Sequence, residues 1–433
     1  MLAKKSSDEL LLISCTSSDP FSTLIIDISS GSAVWGLKGH EFRSGNGCQD
    51  ILPLGIDGDY MICTENEGKW LHIISTNSKN RFHQVSHLSE PLENMIMNSE
   101  GSMIFSSSGC KLYVWQIING SLLAVFDDHY QKITRLRLSS DNSLLFTSSA
   151  DGNVHVYNVT DLYNFYKSPN TKPTSLFEYR PHSLSITDMA ITKGENPRII
   201  TCSEDHSLAI YSMSQQKIIL KVTADKPLKS CEIDAAESRL FVGNNMGNIA
   251  IVDLYNIGGT TEKLIVTTGD KVTIPILEGH DCAVTTIAVN TDGSILATGD
   301  INGGYRIWDI ASRQTIKSST MKNGIRVLKF VPNWDSLHSS TYVLPKRKFA
   351  YFQRVLSDPN GVVGVLSNIS SKNLDLITKE RLDEIFEHYY DTAVKSYNES
   401  KNKSSGNDSD MVKKLKKEIE RLENEIKILA DNI

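Results

Sequence analysis

From residue 10 to residue 331, apolar and polar positions alternate in short runs separated by turns rich in Gly, Asn, Asp and Ser, the period-two pattern of half-buried strands. One unit recurs: a turn followed by a β-rich run ending in a large apolar or aromatic residue, as in ADGNVHVYN, EDHSLAIYS, NMGNIAIVD and NGGYRIWD. Aligned on that residue, the column reads Ile26, Ile73, Trp115, Tyr157, Tyr211, Val252 and Trp308, with steps of 47, 42, 42, 54, 41 and 56 residues. Four steps lie near the period of about 40–45 residues expected of four-stranded propeller blades. Strand pairs precede the marker, such as ITRLRL with SLLFTS, ITDMAI with RIITC and VTTIAV with ILATG, and these read as first and second strands. The pattern predicts an all-β, seven-bladed propeller over residues 1–331.

Two details of the count carry further. The long steps hold insertions at residues 163–173 (YNFYKSPNTKP) and 255–270 (YNIGGTTEKLIVTTGD), both after the third strand of a blade, so both should emerge on one face of the disc. The first repeat (LLISC, STLIID, AVWGL) starts at a second strand, while IRVLKFV at 325–331 is left over. That run is expected to supply the missing inner strand and close the ring, removing two exposed sheet edges.

His129, Ser149, Asp151 and Tyr157 recur one blade later as His182, Ser203, Asp205 and Tyr211 with nearly equal spacing. Ser, His and Asp together suggest a hydrolase triad, but a constellation repeated in successive blades, with no G-x-S-x-G elbow at either serine, points to a structural tetrad that satisfies buried polar groups. The His, Ser, Asp and Trp positions, with Gly39-His40, Gly279-His280 and Trp308-Asp309, resemble WD repeats. Tyr157 and Tyr211 stand in for Trp, Asn302 for the turn Asp and Asp300 for the Ser, and blades one, two and six lack most of the tetrad and should depend on apolar packing.

Particular segments narrow the resemblance: DHYQKITRLRLSSDNSLLFTSSADGNVHVYNVTDL at 128–162, PHSLSITDM at 181–189, LFVGNNMGNIAIVDL at 240–254, and a terminal coiled coil. Together they are similar to the WD repeat-containing protein 18 family. The stretches His129–Gln131 and Leu184–Asp188 carry weight because the generic repeat does not require them. The resemblance implies a non-enzymatic nuclear scaffold in the assembly that processes the second internal transcribed spacer of ribosomal RNA and matures the large ribosomal subunit. It further implies a helical-repeat partner of the proline-, glutamic acid- and leucine-rich protein type, other ribosome-assembly subunits and a midasin-type ATPase, with RNA contact at most indirect. On the residues alone the reading stops at a WD-repeat adaptor, for which a ubiquitin-ligase substrate receptor or a chromatin module is the alternative.

Beyond the repeats, residues 332–377 form an irregular extension whose Lys346-Arg347-Lys348 cluster reads as a solvated loop, with nuclear import or phosphate contact as the alternative. Leu382, Ile385, Phe386, Tyr389, Tyr390, Ala393, Val394 and Tyr397 make one face of a helix over 378–397, to be covered by the propeller or by a partner groove. Residues 398–410 are polar and read as a flexible linker. In the segment 411–433, Val412, Ile419, Ile426 and Ile433 fall at heptad a positions and Leu415, Leu422 and Leu429 at d, a two-stranded coiled-coil seam. In a parallel homodimer Glu418 would face Glu423, so a heterotypic or antiparallel partner is equally admissible.

Composition adds exclusions. With 433 residues, 40% apolar, 22% charged and a net charge of −6, the surface is not that of a dominant nucleic-acid binder. The seven cysteines include no C-x-x-C pair, so no metal site, cofactor or disulfide framework is expected. No apolar run approaches the roughly 20 residues that cross a bilayer.

Overall fold

A computed structural model describes residues 9–16, 20–55, 58–77, 82–162, 175–194, 196–255, 262–265, 274–338 and 349–354. The helix at 378–397, the linker, the coiled coil at 411–433, the basic cluster at 346–348 and most of both insertions lie outside these residues.

The alternating runs pair as antiparallel sheets of four strands, seven in number, and each marker residue falls on the third strand of its sheet. Each blade is covered by a neighbour on either side, so side chains on both faces of its middle strands are buried. The second strands, such as Leu144–Ser149 and Arg198–Ser203, are accordingly buried along most of their length. The seven inner strands are Ile325–Pro332 (blade one), Cys48–Leu54, Asn94–Met97, Ile133–Leu138, Ile186–Ile191, Leu228–Ile233 and Val284–Val289 (blade seven). Each contacts the next, and the last contacts the first, so they form a closed ring around a channel.

Closure occurs in blade one as the strand count predicts. Ile325–Pro332 pairs antiparallel with Glu9–Cys15, from Glu9 opposite Pro332 to Cys15 opposite Ile325. The N- and C-terminal ends of the repeat region thus share one sheet.

Side-chain hydrogen bonds cross every joint of the inner ring. Cys48 N donates to Ser22 Oγ, Gln49 Nε2 to the Glu93 carbonyl, Asn94 Nδ2 to the Ile133 carbonyl, and Arg135 Nε to Asp188 Oδ1; Thr187 Oγ1 donates to the Leu228 carbonyl, Ser230 Oγ to the Val284 carbonyl, and Thr285 Oγ1 to the Ile325 carbonyl. The geometry behind several of these is a β-bulge. Pairing of the first and second strands skips Gln49, Thr187 and Thr285, and a bulged residue is free to aim its side chain sideways into the next blade.

Two features depart from the simple repeat. Within the second insertion, Glu262–Ile265 forms a fifth strand that pairs in parallel with the outer strand of blade five, Lys217–Ala224. The start of the extension is also not irregular throughout. Asp335–His338 is a helical turn, and Trp334 is buried against blades one and two, with its ring over Gly58.

Candidate functional site

Blade seven holds a complete polar relay. Trp308 Nε1 donates to Thr298 Oγ1 (2.9 Å), Thr298 Oγ1 meets His280 Nε2 (2.7 Å), and His280 Nδ1 meets Asp300 Oδ2 (2.9 Å). In the neutral imidazole, Nδ1–H donates to the carboxylate and Nε2 accepts from the threonine. Burial lowers the His280 pKa, which favours the same form. Asp300, which sits in the Ser column of the repeat, does the work of the turn aspartate by accepting from the Asn302 and Gly304 amides.

In blades four and five the structure brings His129 and His182 onto threonines, not onto the serines of the repeat column. His129 Nε2 meets Thr147 Oγ1 at 2.7 Å, and His182 Nε2 meets Thr201 Oγ1 at 2.9 Å. Ser149 Oγ donates to the Gln131 carbonyl and Ser203 Oγ to the Ser185 carbonyl, bracing the turns. The reason is depth: each threonine lies two residues earlier on the same strand face, level with the imidazole, while each serine ends its strand at the loop. Asp205 sits 3.2 Å from His182, whereas Asp151 is 3.6 Å from His129 Nδ1 and instead caps its turn by accepting from the Asn153 and Tyr130 amides. Burial and the neighbouring His155 push the His129 pKa down to about 4. Burial raises the Asp205 carboxyl, but hydrogen bonds from His182 and Ser207 outweigh it and hold the group well below the usual range. Tyr157 Oη donates to Asp128, while Tyr211 stacks on Tyr179 with its hydroxyl unpaired among the described residues. Neither Ser149 nor Ser203 is bonded to the histidine of its blade; His182 Nδ1 does lie 2.9 Å from Ser207 Oγ, which donates to Asp205 Oδ1.

Blade two carries a polar pair that the repeat pattern does not signal. Buried His72 Nε2 lies 2.6 Å from Glu65 Oε1, and Glu65 also accepts from the Arg43 and Ser44 amides. Burial raises the Glu65 pKa, but these bonds leave it below its ordinary value.

The channel widens into a cavity of about 460 Å³, lined by six cationic side chains (Lys132, Arg135, Arg137, Lys229, Arg326, Lys329) and four acidic ones (Asp50, Glu93, Asp188, Glu204). Arg135 and Lys229 are paired, at 2.8 Å to Asp188 and 2.6 Å to Glu204. Desolvation depresses the Lys329 pKa, raises that of Asp50, and raises Glu232, on the inner strand of blade six, to about 7. Among the described residues no cluster of three or more His, Cys, Asp or Glu is placed to hold a metal ion.

The extension straps blades two and three together. Gln84 Nε2 donates to the Ala350 carbonyl, Trp115 Nε1 to the Gln353 carbonyl, Gln353 N to the Gly120 carbonyl and Arg354 Nε to the His87 carbonyl. Phe349 and Phe352 complete the seam against Tyr60 and Trp115.

The sequence pattern described as "WD domain, G-beta repeat" matches residues 120–158 and 263–309. The chain is 41% identical over 331 residues to "Pre-rRNA-processing protein pro-1" of Caenorhabditis briggsae, covering 76% of this chain and 62% of that protein. To the Caenorhabditis elegans protein of the same name it is 39% identical over 337 residues, 77% of this chain and 63% of the relative. Human "WD repeat-containing protein 18" is 25% identical over 285 residues, 66% and 65% of the two chains. The chain thus spans just under two thirds of the length of these relatives.

Proposed function

We propose that this WD-repeat propeller, a homologue of the pre-rRNA-processing WD-repeat proteins, is a non-enzymatic scaffold in a nuclear complex that processes ribosomal RNA and matures the large ribosomal subunit. The observation that carries the reading is the 41% identity over 331 residues to a protein named for pre-rRNA processing. The architecture supports it: the polar constellations are spent on the blades, and the channel and faces offer surfaces for partners. The partners we propose are a helical-repeat scaffold of the proline-, glutamic acid- and leucine-rich protein type and a midasin-type ATPase. The seam of Val412, Leu415, Ile419, Leu422, Ile426, Leu429 and Ile433 would serve as the element of assembly.

The test is depletion of the protein followed by measurement of ribosomal RNA precursors, together with pull-downs of full-length protein from nuclear extract. Precursors that retain the second internal transcribed spacer should accumulate, and the pull-down should recover large-subunit precursors. Leu422→Asp with Ile426→Asp places charge in a seam that must be dry, so recovery should fall while the melting temperature of the propeller stays constant. Normal precursor levels with cullin-type or histone-modifying proteins in the pull-down would refute the reading.

A further inference from the structure

Every blade ends in an outer strand on the rim of the disc, and an uncovered strand edge is a template for pairing with another chain. Six of the seven are short, buried or covered. Phe82–His87 of blade two lies under the strap, where Gln84 Nε2 donates to the Ala350 carbonyl and the Phe352 amide to Ser86 Oγ. Leu122–Phe126 of blade three is buried at four of its five positions, and Ala33–Leu37 of blade one buries Trp35 and Leu37. The outer strands of blades four and six, Phe177–Tyr179 and Ile276–Leu277, have three and two residues. Lys217–Ala224 of blade five is covered by Glu262–Ile265. Blade seven differs from all of these. Its outer strand, Gln314–Thr320, has seven residues, six of them exposed, and no further strand pairs with it among the described residues.

The covered edge of blade five and the open edge of blade seven share one register. In both, the outer strand bulges opposite the marker, at Tyr211 and at Trp308. Beyond the bulge, Leu220 pairs with Ile210 and Thr223 with Ser207; in blade seven Lys317 pairs with Ile307 and Thr320 with Gly304. Both ladders end in the same bond, from the Ala224 amide to the His206 carbonyl and from the Met321 amide to the Gly303 carbonyl. Antiparallel alternation then turns the amides and carbonyls of Lys221 and Thr223 out of blade five, and those of Ser318 and Thr320 out of blade seven. In blade five the added strand fills this edge, from Lys221 opposite Glu262 to Ala224 opposite Ile265. The equivalent edge of blade seven is open.

The chemistry around that edge selects its occupant. From Ile310 to Trp334 the chain carries Arg313, Lys317, Lys322, Arg326 and Lys329 and no Asp or Glu, in a protein of net charge −6. Ser318, Ser319 and Thr320 are small and let another backbone approach, and Ile316, 51% exposed, offers apolar contact beside them. We propose that the outer edge of blade seven takes up an extended segment of a partner protein as a fifth strand, with β-branched residues along Ser318–Thr320 and acidic residues toward Arg313 and Lys322. Main-chain bonds to Ser318 and Thr320 supply the affinity, and the flanking charges set the register. The inference concerns the rim of the propeller and does not depend on a role in ribosomal RNA processing.

The experiment selects random twelve-residue peptides displayed on phage against the full-length protein, then measures the enriched peptide by fluorescence anisotropy and by amide hydrogen exchange. Thr320→Pro removes an outward amide while sparing the ladder bonds of blade seven, and Arg313→Glu with Lys322→Glu reverses the flanking charge. All three positions are exposed, so melting temperatures should stay constant. Enriched peptides should join Val, Ile or Thr to Asp or Glu and should slow exchange over residues 314–321. Thr320→Pro should weaken binding about tenfold or more, and the charge reversal should do so chiefly at low salt. If Thr320→Pro lowers the melting temperature, the charge reversal and the exchange pattern decide. No enrichment, unchanged exchange over 314–321, or equal affinity for wild type and both variants would overturn the proposal. So would pairing of two copies in light scattering that Thr320→Pro abolishes, since a second copy would then own the edge. A single-stranded 20-nucleotide RNA whose binding is lost on charge reversal while no peptide is enriched would overturn it as well, making the rim a nucleic-acid contact.

Discussion

Ending the chain at residue 324 removes the inner strand of blade one and opens the ring. Ile325, Val327, Leu328 and Val331 are each less than a tenth exposed, and burying such side chains contributes about 1.5–3 kcal/mol each. Their loss amounts to about 6–12 kcal/mol before the entropy of ordering the strand is subtracted, comparable with the whole net stability of a typical domain. The truncation also deletes the Thr285 bond to the Ile325 carbonyl and leaves the edge of Glu9–Cys15 unpaired, with Leu10, Leu11, Leu12 and Ile13 on it. An edge so apolar is a template for association. The chain ending at 324 should therefore elute as oligomer or aggregate in size-exclusion chromatography with light scattering, whereas one ending at 354 should be monodisperse. A graded version is Leu328→Ala, which should destabilise the propeller by about 2–4 kcal/mol in urea unfolding. A monomeric 324-residue protein with the melting temperature of the longer chain would refute the closure argument.

Thr298→Val should destabilise by about 1–3 kcal/mol, since it strips the Trp308 indole and His280 of their shared partner; Asp151→Ala should fall in the same range, both read by urea unfolding. His129 is depressed to about 4 in the folded protein from an ordinary value near 6.5, so its contribution is full above about pH 6.5 and is lost as pH falls toward 4. His129→Gln should flatten the acid limb of the stability profile in that window, and an unchanged limb would assign it to other groups. Phe352→Ala should lower the melting temperature by removing about 3 kcal/mol of buried contact between strap and blades, and a propeller indifferent to it would show that the strap is not part of the folding unit.

The blade count, the third-strand column from Ile26 to Trp308 and the closing strand at 325–331 were all legible in the chain. Each depends on local periodicity and on arithmetic, because a strand buried between two neighbours must repeat its apolar positions whatever lies across from it. The polar chemistry was only half legible. Histidines and aspartates stood out by recurrence, but the choice of Thr147 over Ser149, and of Thr201 over Ser203, turns on how deep a loop-borne imidazole reaches into a strand. Spacing along one chain does not encode that. Glu65 with His72 went unread because the pair occurs in a single blade and has no second copy to align with. The ring of joint-crossing bonds depends on bulges at Gln49, Thr187 and Thr285, and a bulge is a property of two strands' register, not of either strand alone. Tertiary structure alone decided that Glu262–Ile265 joins the blade before its own and that Phe349–Arg354 bridges blades two and three, since both segments satisfy their backbone groups on partners far away in sequence.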